Sequence, residues 1–111
     1  MSARRSAAAV VVLVTCPSPA VAKRIARHLV KQRLAACVNT VPGLQSIFRW
    51  QGRVDRCSEA LLLIKTTRPV FLRLKTAILA LHPYEVPEII ALPVHMGHQP
   101  YLRWIARSLS C

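Results

Sequence analysis

Residues 46–66, with the sequence SIFRWQGRVDRCSEALLLIKT, decide how the rest of the chain is arranged. Their first part alternates and places Phe48 and Trp50 on one face, as in a β-strand, and Gly52 marks a reversal of the chain. Residues 59–66 form a nearly continuous apolar run, which predicts a strand buried on both faces. The segment therefore predicts a long β-hairpin that projects beyond the domain and pairs with a neighbouring chain.

One strand and one helix are expected before this hairpin. The valine-rich run at residues 8–15 predicts a buried strand. Ser18 followed by Pro19 is an N-cap with proline at the first helical position, so a helix is expected from there to about Arg33. Residues 34–39 begin the next extended stretch, and Pro42-Gly43 predicts a turn or a bulge within it.

A second helix, a stiff connector and a last strand are expected after the hairpin. Apolar residues repeat with helical spacing over residues 69–81. The connector His82–Glu88 contains two prolines, which favour an extended, non-helical conformation. The last strand is predicted over residues 89–95, and a short helix is predicted to begin at Pro100.

The order β-α-β-β-α-β with a terminal helix predicts an α+β fold of the ferredoxin-like class. This class has one antiparallel sheet with both main helices on one face. Residues 1–7 are expected to form a flexible tail and residues 8–111 a single domain. With 53% hydrophobic residues in 111, the chain has enough apolar surface to predict that part of the sheet is covered by further copies of itself.

The charge of the chain is strongly positive, with 16 Lys+Arg against four Asp+Glu and a net charge of +12. Such a balance is typical of proteins that bind polyanions. The basic residues are, however, spread along the sequence, which favours an ordinary solvated surface. Nucleic acid is therefore not the partner we expect, and a polyanion-binding module remains an alternative.

The cysteines and the N-terminal apolar run indicate a soluble cytoplasmic protein. The four cysteines lack the close spacing of zinc sites, so free thiols are expected; they are Cys16, Cys37, Cys57 and Cys111. The apolar run of residues 7–14 is similar to a short secretory signal, but it is β-branched and has no small-residue cleavage pattern. No stretch reaches the ~18 apolar residues of a membrane span, so no membrane association is expected.

Five ordered motifs closely resemble those of the CutA divalent-cation tolerance family, across about residues 9–109. They are 34–39 (LAACVN), 42–52 (PGLQSIFRWQG), 64–66 (IKT), 82–88 (HPYEVPE) and 101–105 (YLRWI). The resemblance implies a cytoplasmic homotrimer, assembled like the PII signalling proteins, that acts in tolerance to copper and other divalent metals.

The resemblance also implies a metal site. Relatives that bind copper use a cysteine late in the first strand and two consecutive histidines before Pro-Tyr. The corresponding positions here are Val14, Leu81 and His82, so His82 alone matches. Cys16 lies two positions after Val14 and on the same strand face. We therefore nominate His82, Cys16 and Cys37 as ligands for copper or another divalent cation, with no cofactor required for folding. The alternative for Cys37 is a small core residue.

Polar residues of the same motifs predict a cleft between subunits; they are Trp50, Lys65, Tyr84, Glu85 and Glu88. A PII-like trimer that senses a small anionic ligand there is the alternative function. A purely structural role is also open, with Glu88 paired to Lys65 or to an arginine. No Ser-His-Asp order, Gly-rich phosphate loop or HExxH motif is present, so no enzymatic activity is predicted.

Overall fold

The computed structural model describes residues 8–109; the predicted tail at residues 1–7 and Cys111 lie outside the described residues. The strands are β1 (Ala9–Cys16), β2 (Cys37–Trp50), β3 (Arg53–Thr67) and β4 (Ile90–Pro93). The helices are α1 (Pro19–Lys31), α2 (Phe71–Leu81), which follows a 3-10 turn at Arg68–Val70, and α3 (Gln99–Ser108). This order confirms the predicted α+β fold and its element sequence.

The four strands form one antiparallel sheet in the order β2-β3-β1-β4. All eight residues of β1 pair with β3, from Ala9 opposite Thr67 to Cys16 opposite Ala60. Because side chains alternate across a strand, this register fixes which residues of both strands share a face.

Helices α1 and α2 cover one face of the sheet and form the core with it. Helix α1 begins where Ser18 Oγ accepts a hydrogen bond from the Val21 N–H at 3.2 Å, and it ends before Arg33, whose φ is 58°. The core is aliphatic, as predicted. Its fully buried members include Val12, Val14, Ile25, Leu29, Leu62, Ile64, Leu74 and Ile78.

The opposite side of the sheet, here called the open face, is covered only in part by α3. Leu102 and Ile105 of α3 pack against Ala9 near one end of the sheet. Leu61 and Leu63 on this face are half-buried, whereas their neighbour Leu62 is 0% exposed. The prediction that β3 is buried on both faces is therefore wrong within one chain, because no layer formed by residues 8–109 covers the middle of the open face.

Strands β2 and β3 continue beyond the core as a long hairpin arm, as predicted. A bulge between Val41 and Leu44 contains Gly43 at φ 77°, which fulfils the prediction made from Pro42-Gly43. At the tip, Gln51 and Gly52 have φ values of 51° and 79°, which suits the right-handed twist of a two-residue hairpin turn. The arm contributes to a longest dimension of 48 Å against 26 and 22 Å.

Strand β4 is shorter than the predicted residues 89–95. It pairs only with Val10 to Leu13 of β1, from Pro93 at one end to Ile90 at the other. The stiff connector occupies the preceding residues and keeps them out of the ladder. As a result, the last residues of β1, Thr15 and Cys16, have no neighbour in β4, and the connector passes beside this end of the strand.

Replacing Leu62 by Ala should destabilise the protein by about 2–5 kcal/mol, since it removes buried methyl groups and leaves a cavity. The matched control is Leu72→Ala, the same change at a side chain that is 69% exposed, where a cost below about 0.5 kcal/mol is expected. Guanidinium chloride denaturation at one fixed protein concentration measures both values. Similar costs at the two positions would contradict the described core.

Candidate functional site

His82 lies at the point where helix α2 ends and the connector begins, and it is 8% exposed. Its backbone N–H donates to the Ile78 carbonyl at 2.8 Å and closes the helix. Its ring Nε2 lies 2.8 Å from the Thr15 carbonyl oxygen, which can only accept, so Nε2 carries the proton. The other ring nitrogen, Nδ1, accepts from the Tyr84 N–H at 3.1 Å. Both ring nitrogens are therefore engaged by backbone groups.

This arrangement gives His82 a specific structural role. The Thr15 carbonyl lies beyond the last residue of β1 that pairs with β4. A partly buried backbone acceptor at such a place is costly unless a donor reaches it. His82 supplies that donor across 67 residues of sequence. A metal ion could coordinate this imidazole only after one of the two hydrogen bonds had been released.

Tyr84 continues the connector and crosses to the open face. Its ring packs against that of His82, with centroids 4.8 Å apart at an angle of 50°. Its hydroxyl donates to Glu59 Oε2 at 2.8 Å. Burial, followed by the hydrogen bond and the negative charge of Glu59, raises the pKa of the Tyr84 hydroxyl well above its ordinary value. The phenol therefore remains a hydrogen-bond donor to the carboxylate.

Cys57 precedes Glu59 by two residues on β3 and lies on the same face. Burial and the Glu59 carboxylate raise the pKa of the Cys57 thiol, and a contact with the Tyr84 hydroxyl acts in the opposite direction. We call Cys57, Glu59, Tyr84 and His82 the connector cluster. It joins β3 of the arm to the start of the connector, and its thiol and carboxylate are ligand types that divalent transition metals accept.

Cys16 is the last residue of β1, so the strand continues through it to Pro17. Its side chain is 0% exposed and belongs to the core beneath the two helices. Burial, with a smaller effect of the Glu59 charge, raises the pKa of the Cys16 thiol to about 11. A metal ion could reach this thiol only if the core opened around it, so Cys16 is a poor ligand in the folded chain.

Cys37 lies on the other side of the sheet from Cys16. It faces Lys65 across β2 and β3, and Lys65 is level with Val11, five residues before Cys16. Along β1 this is a distance of ~17 Å. Its thiol lies 3.9 Å from Asn39 Oδ1, which also accepts a hydrogen bond from the Lys65 ammonium group.

The three nominated metal ligands, Cys16, Cys37 and His82, are thus not brought together within one chain. Over residues 8–109 no group of three or more His, Cys, Asp or Glu side chains is arranged to hold a metal ion. These donors therefore do not fit a copper site that a single chain completes.

The residues predicted to form a cleft are also dispersed within one chain. Trp50 is at the tip of the arm, opposite Arg53, whereas Lys65 lies twelve residues further along β3, a distance of ~40 Å. Glu85 and Glu88 are exposed on the connector. Tyr84 is the member of this set that enters the connector cluster.

Sequence reasoning missed Glu59, Cys57 and Thr15 as parts of the site. Glu59 had a usable signal, because it directly precedes an apolar run in a chain with only four acids and so required a partner. Cys57 lies on the strand face of Glu59, two residues away, and the spacing alone would have placed it there. Thr15 takes part through its backbone carbonyl, which no residue pattern could reveal.

Comparison with known proteins gives consistent matches over nearly the whole described chain. The family model described as CutA1 divalent ion tolerance protein matches residues 10–108. The divalent-cation tolerance protein CutA of Thermus thermophilus is 59% identical over 95 residues, which are 86% of this chain and 92% of that protein. Human protein CutA is 50% identical over 92 residues, or 83% of this chain, and the match spans 51% of the human protein's length.

Two solved structures have the same fold. The divalent cation tolerance protein from Thermus thermophilus aligns with a TM-score of 0.89 at 56% identity and covers 90% of this chain and 97% of its own. The periplasmic divalent cation tolerance protein CutA from Archaeoglobus fulgidus aligns with a TM-score of 0.89 at 33% identity and covers 92% and 99%. Over the described residues, no helix of the present chain is long and apolar enough to cross a membrane.

Replacing Tyr84 by Phe should destabilise the protein by about 1 kcal/mol at neutral pH, because Glu59 loses its hydrogen-bond donor. The pKa of Tyr84 is raised in the folded state, so its contribution is fully present below the unfolded-state value of about 10 and is lost as pH rises further. The stability difference between wild type and Tyr84→Phe should therefore shrink above pH ~10. Urea denaturation over a pH series measures it, and a difference that grows with pH would contradict the assignment.

Proposed function

Because the chain belongs to the CutA1 divalent ion tolerance family, we propose that it acts in divalent-cation tolerance as a homotrimer. Copper or another divalent cation binds where its subunits meet. The role is one of binding without catalysis, and the compartment is the cytoplasm. The observation that carries this proposal is the uncovered apolar surface of the open face.

The open face has the composition of an interface between subunits. Half-buried and exposed apolar side chains occur on this face in all four strands; they are Val11, Leu13, Val41, Phe48, Trp50, Leu61, Leu63, Ile90 and Leu92. An apolar surface of this extent favours association over exposure to water. Further copies of the chain are the natural covering, and the arm is long enough to reach across a neighbour.

The same face carries donor atoms suited to a soft or borderline divalent cation. Cys37, Cys57 and Glu59 all lie on the open-face side of their strands. Since no single chain completes a site over residues 8–109, packing of subunits on this face is what would bring further donors to these thiols and this carboxylate. Thiolate ligands suit copper(I) and zinc(II), and zinc(II) also accepts a carboxylate oxygen.

The cysteines support the proposed compartment. The three that the structure describes, Cys16, Cys37 and Cys57, are free thiols. Unpaired cysteines persist in reducing compartments and are readily oxidised outside them. His82 supports the proposal that the chain does not catalyse a reaction. Its two ring nitrogens are hydrogen-bonded to backbone groups of Thr15 and Tyr84 and not to a side-chain nucleophile.

The trimer can be tested by placing a charge on the open face. We expect light scattering of the wild type to give three times the 12.4 kDa mass of the chain. Leu63→Glu should produce monomers, because it would bury an unpaired carboxylate between subunits. Leu72→Glu, an identical change at an exposed helix position, should leave the trimer intact. A monomeric wild type, or trimers of Leu63→Glu, would contradict the proposed interface.

Copper binding can be assigned to the open face by comparing Cys57, which lies on that face, with Cys16, which lies in the core. We expect Cys57→Ser to weaken copper(I) binding at least about tenfold, equivalent to about 1.4 kcal/mol. Cys16→Ser should leave the affinity unchanged, since this thiol is buried in the core. Anaerobic competition with a chromophoric copper(I) chelator measures both. Loss of binding in Cys16→Ser with retention in Cys57→Ser would contradict the assignment, as would a wild type that cannot compete for copper.

A further inference from the structure

The outer surface of the helix layer is strongly basic. Helix α1 has four exposed cations, Lys23, Arg24, Arg27 and Lys31, and α2 adds the exposed Arg73. Neither helix contains an acidic residue. We call these five side chains the basic helix face. Its two helices lie side by side, since both pack on the same side of the sheet, and Arg24 joins them by donating to the carbonyl at the end of α2 at 3.0 Å.

The acidic residues of the chain lie elsewhere. Asp55 and Glu59 are on the open-face side of β3, and Glu85 and Glu88 are on the connector. The opposite side of the arm, which is the side of the helices, carries arginines at positions 49 and 56. Neither helix carries an acid, so the cations of the basic helix face are not neutralised by acids on their own helices.

We propose that the basic helix face binds the phosphate backbone of duplex nucleic acid without reading its sequence. Lys23, Arg27 and Lys31 follow one another at intervals of four residues on α1, about 6 Å apart along the helix axis. A duplex presents one phosphate about every 3.4 Å along each strand. The ~12 Å row therefore spans several phosphates of one strand, and Arg24 on α1 and Arg73 on α2 add further positive charge.

The structure favours nucleic acid over an anionic membrane as the occupant. An amphipathic helix binds a lipid surface by inserting its apolar side chains. The apolar stripe of α1, formed by Ala22, Ile25 and Leu29, is 0% exposed in the core and cannot be inserted while the domain is folded. The outer side exposes the five cations together with the apolar residues Val30, Leu72 and Leu79, and the cations are the component that a phosphate backbone requires.

This function is independent of the proposed cation site and subunit interface. The basic helix face lies on the opposite side of the sheet from the open face, so it stays accessible in a monomer and in a trimer. Removal of the cations of the basic helix face should leave the copper(I) affinity unchanged. A failure of the proposed DNA binding can therefore be distinguished from a failure of the proposed cation role.

Fluorescence anisotropy with a labelled random-sequence DNA duplex tests the proposal. About five phosphate contacts, one for each cation of the basic helix face, predict binding that weakens about 500-fold between about 50 and 200 mM salt. The triple variant Lys23→Gln, Arg27→Gln, Lys31→Gln should reduce the slope of log affinity against log salt by about 3. The pair Arg24→Gln, Arg73→Gln provides a second measurement, with a reduction of about 2.

A matched control removes the same charge from other surfaces. The control variant carries Arg53→Gln, Arg103→Gln and Arg107→Gln. These arginines lie at the arm tip and on α3, and all three side chains are exposed. This variant should keep the wild-type affinity and slope. Equal losses in the two triple variants would overturn the proposal, because net charge alone would then explain binding. Absence of duplex binding at about 50 mM salt would overturn it too, as would preferential binding to phosphatidylserine vesicles at that salt.

Discussion

The complete pairing of β1 with β3 is the constraint on which the rest of the molecule depends. Each residue from Ala9 to Cys16 has a partner in β3, so neither strand can slip by one residue without exchanging its two faces. One face carries Val12, Val14, Leu62 and Ile64, which are fully buried beneath the helices. The other face becomes the open face. One register thus determines the core, the position of the thiols and the side on which the cations of the helices lie.

The connector compensates for the short pairing between β1 and β4. Because β4 pairs with only four residues of β1, the Thr15 carbonyl has no partner in β4. His82 supplies the donor, Tyr84 follows it around the strand end, and Tyr84 in turn reaches Glu59. The chain's most distinctive motif therefore stabilises the junction of helix α2, the end of β1 and the arm. The prolines on both sides of Tyr84 hold this path extended and limit the entropy lost on folding.

Local signals made much of this fold predictable. Ser18-Pro19 indicated the start of α1, Pro42-Gly43 the bulge, and the apolar periodicity the core faces of both helices. The length of β4 was not predictable in the same way, because it depends on where the connector meets the end of β1. The contacts of the site were harder to predict from the sequence than the fold was. His82 was singled out as a metal ligand, and that role stays a prediction. Its partners within the chain are a backbone carbonyl and a backbone N–H, and the Tyr84–Glu59 contact joins residues 25 positions apart.

The two faces of the sheet have opposite physical characters, and this separation limits what each can do. The open face is largely apolar with scattered thiols and two carboxylates, Asp55 and Glu59, which suits association with like chains and soft metal ions. Helices α1 and α2 carry cations without acids, and the apolar stripe of α1 is buried, which suits a partner that is anionic and hydrated. A composition of +12 could not distinguish these alternatives, because the cations are dispersed in sequence and are gathered only when α1 and α2 pack on one side. The folded arrangement, rather than the net charge, is therefore what makes a polyanion surface compatible with a subunit interface in so small a domain.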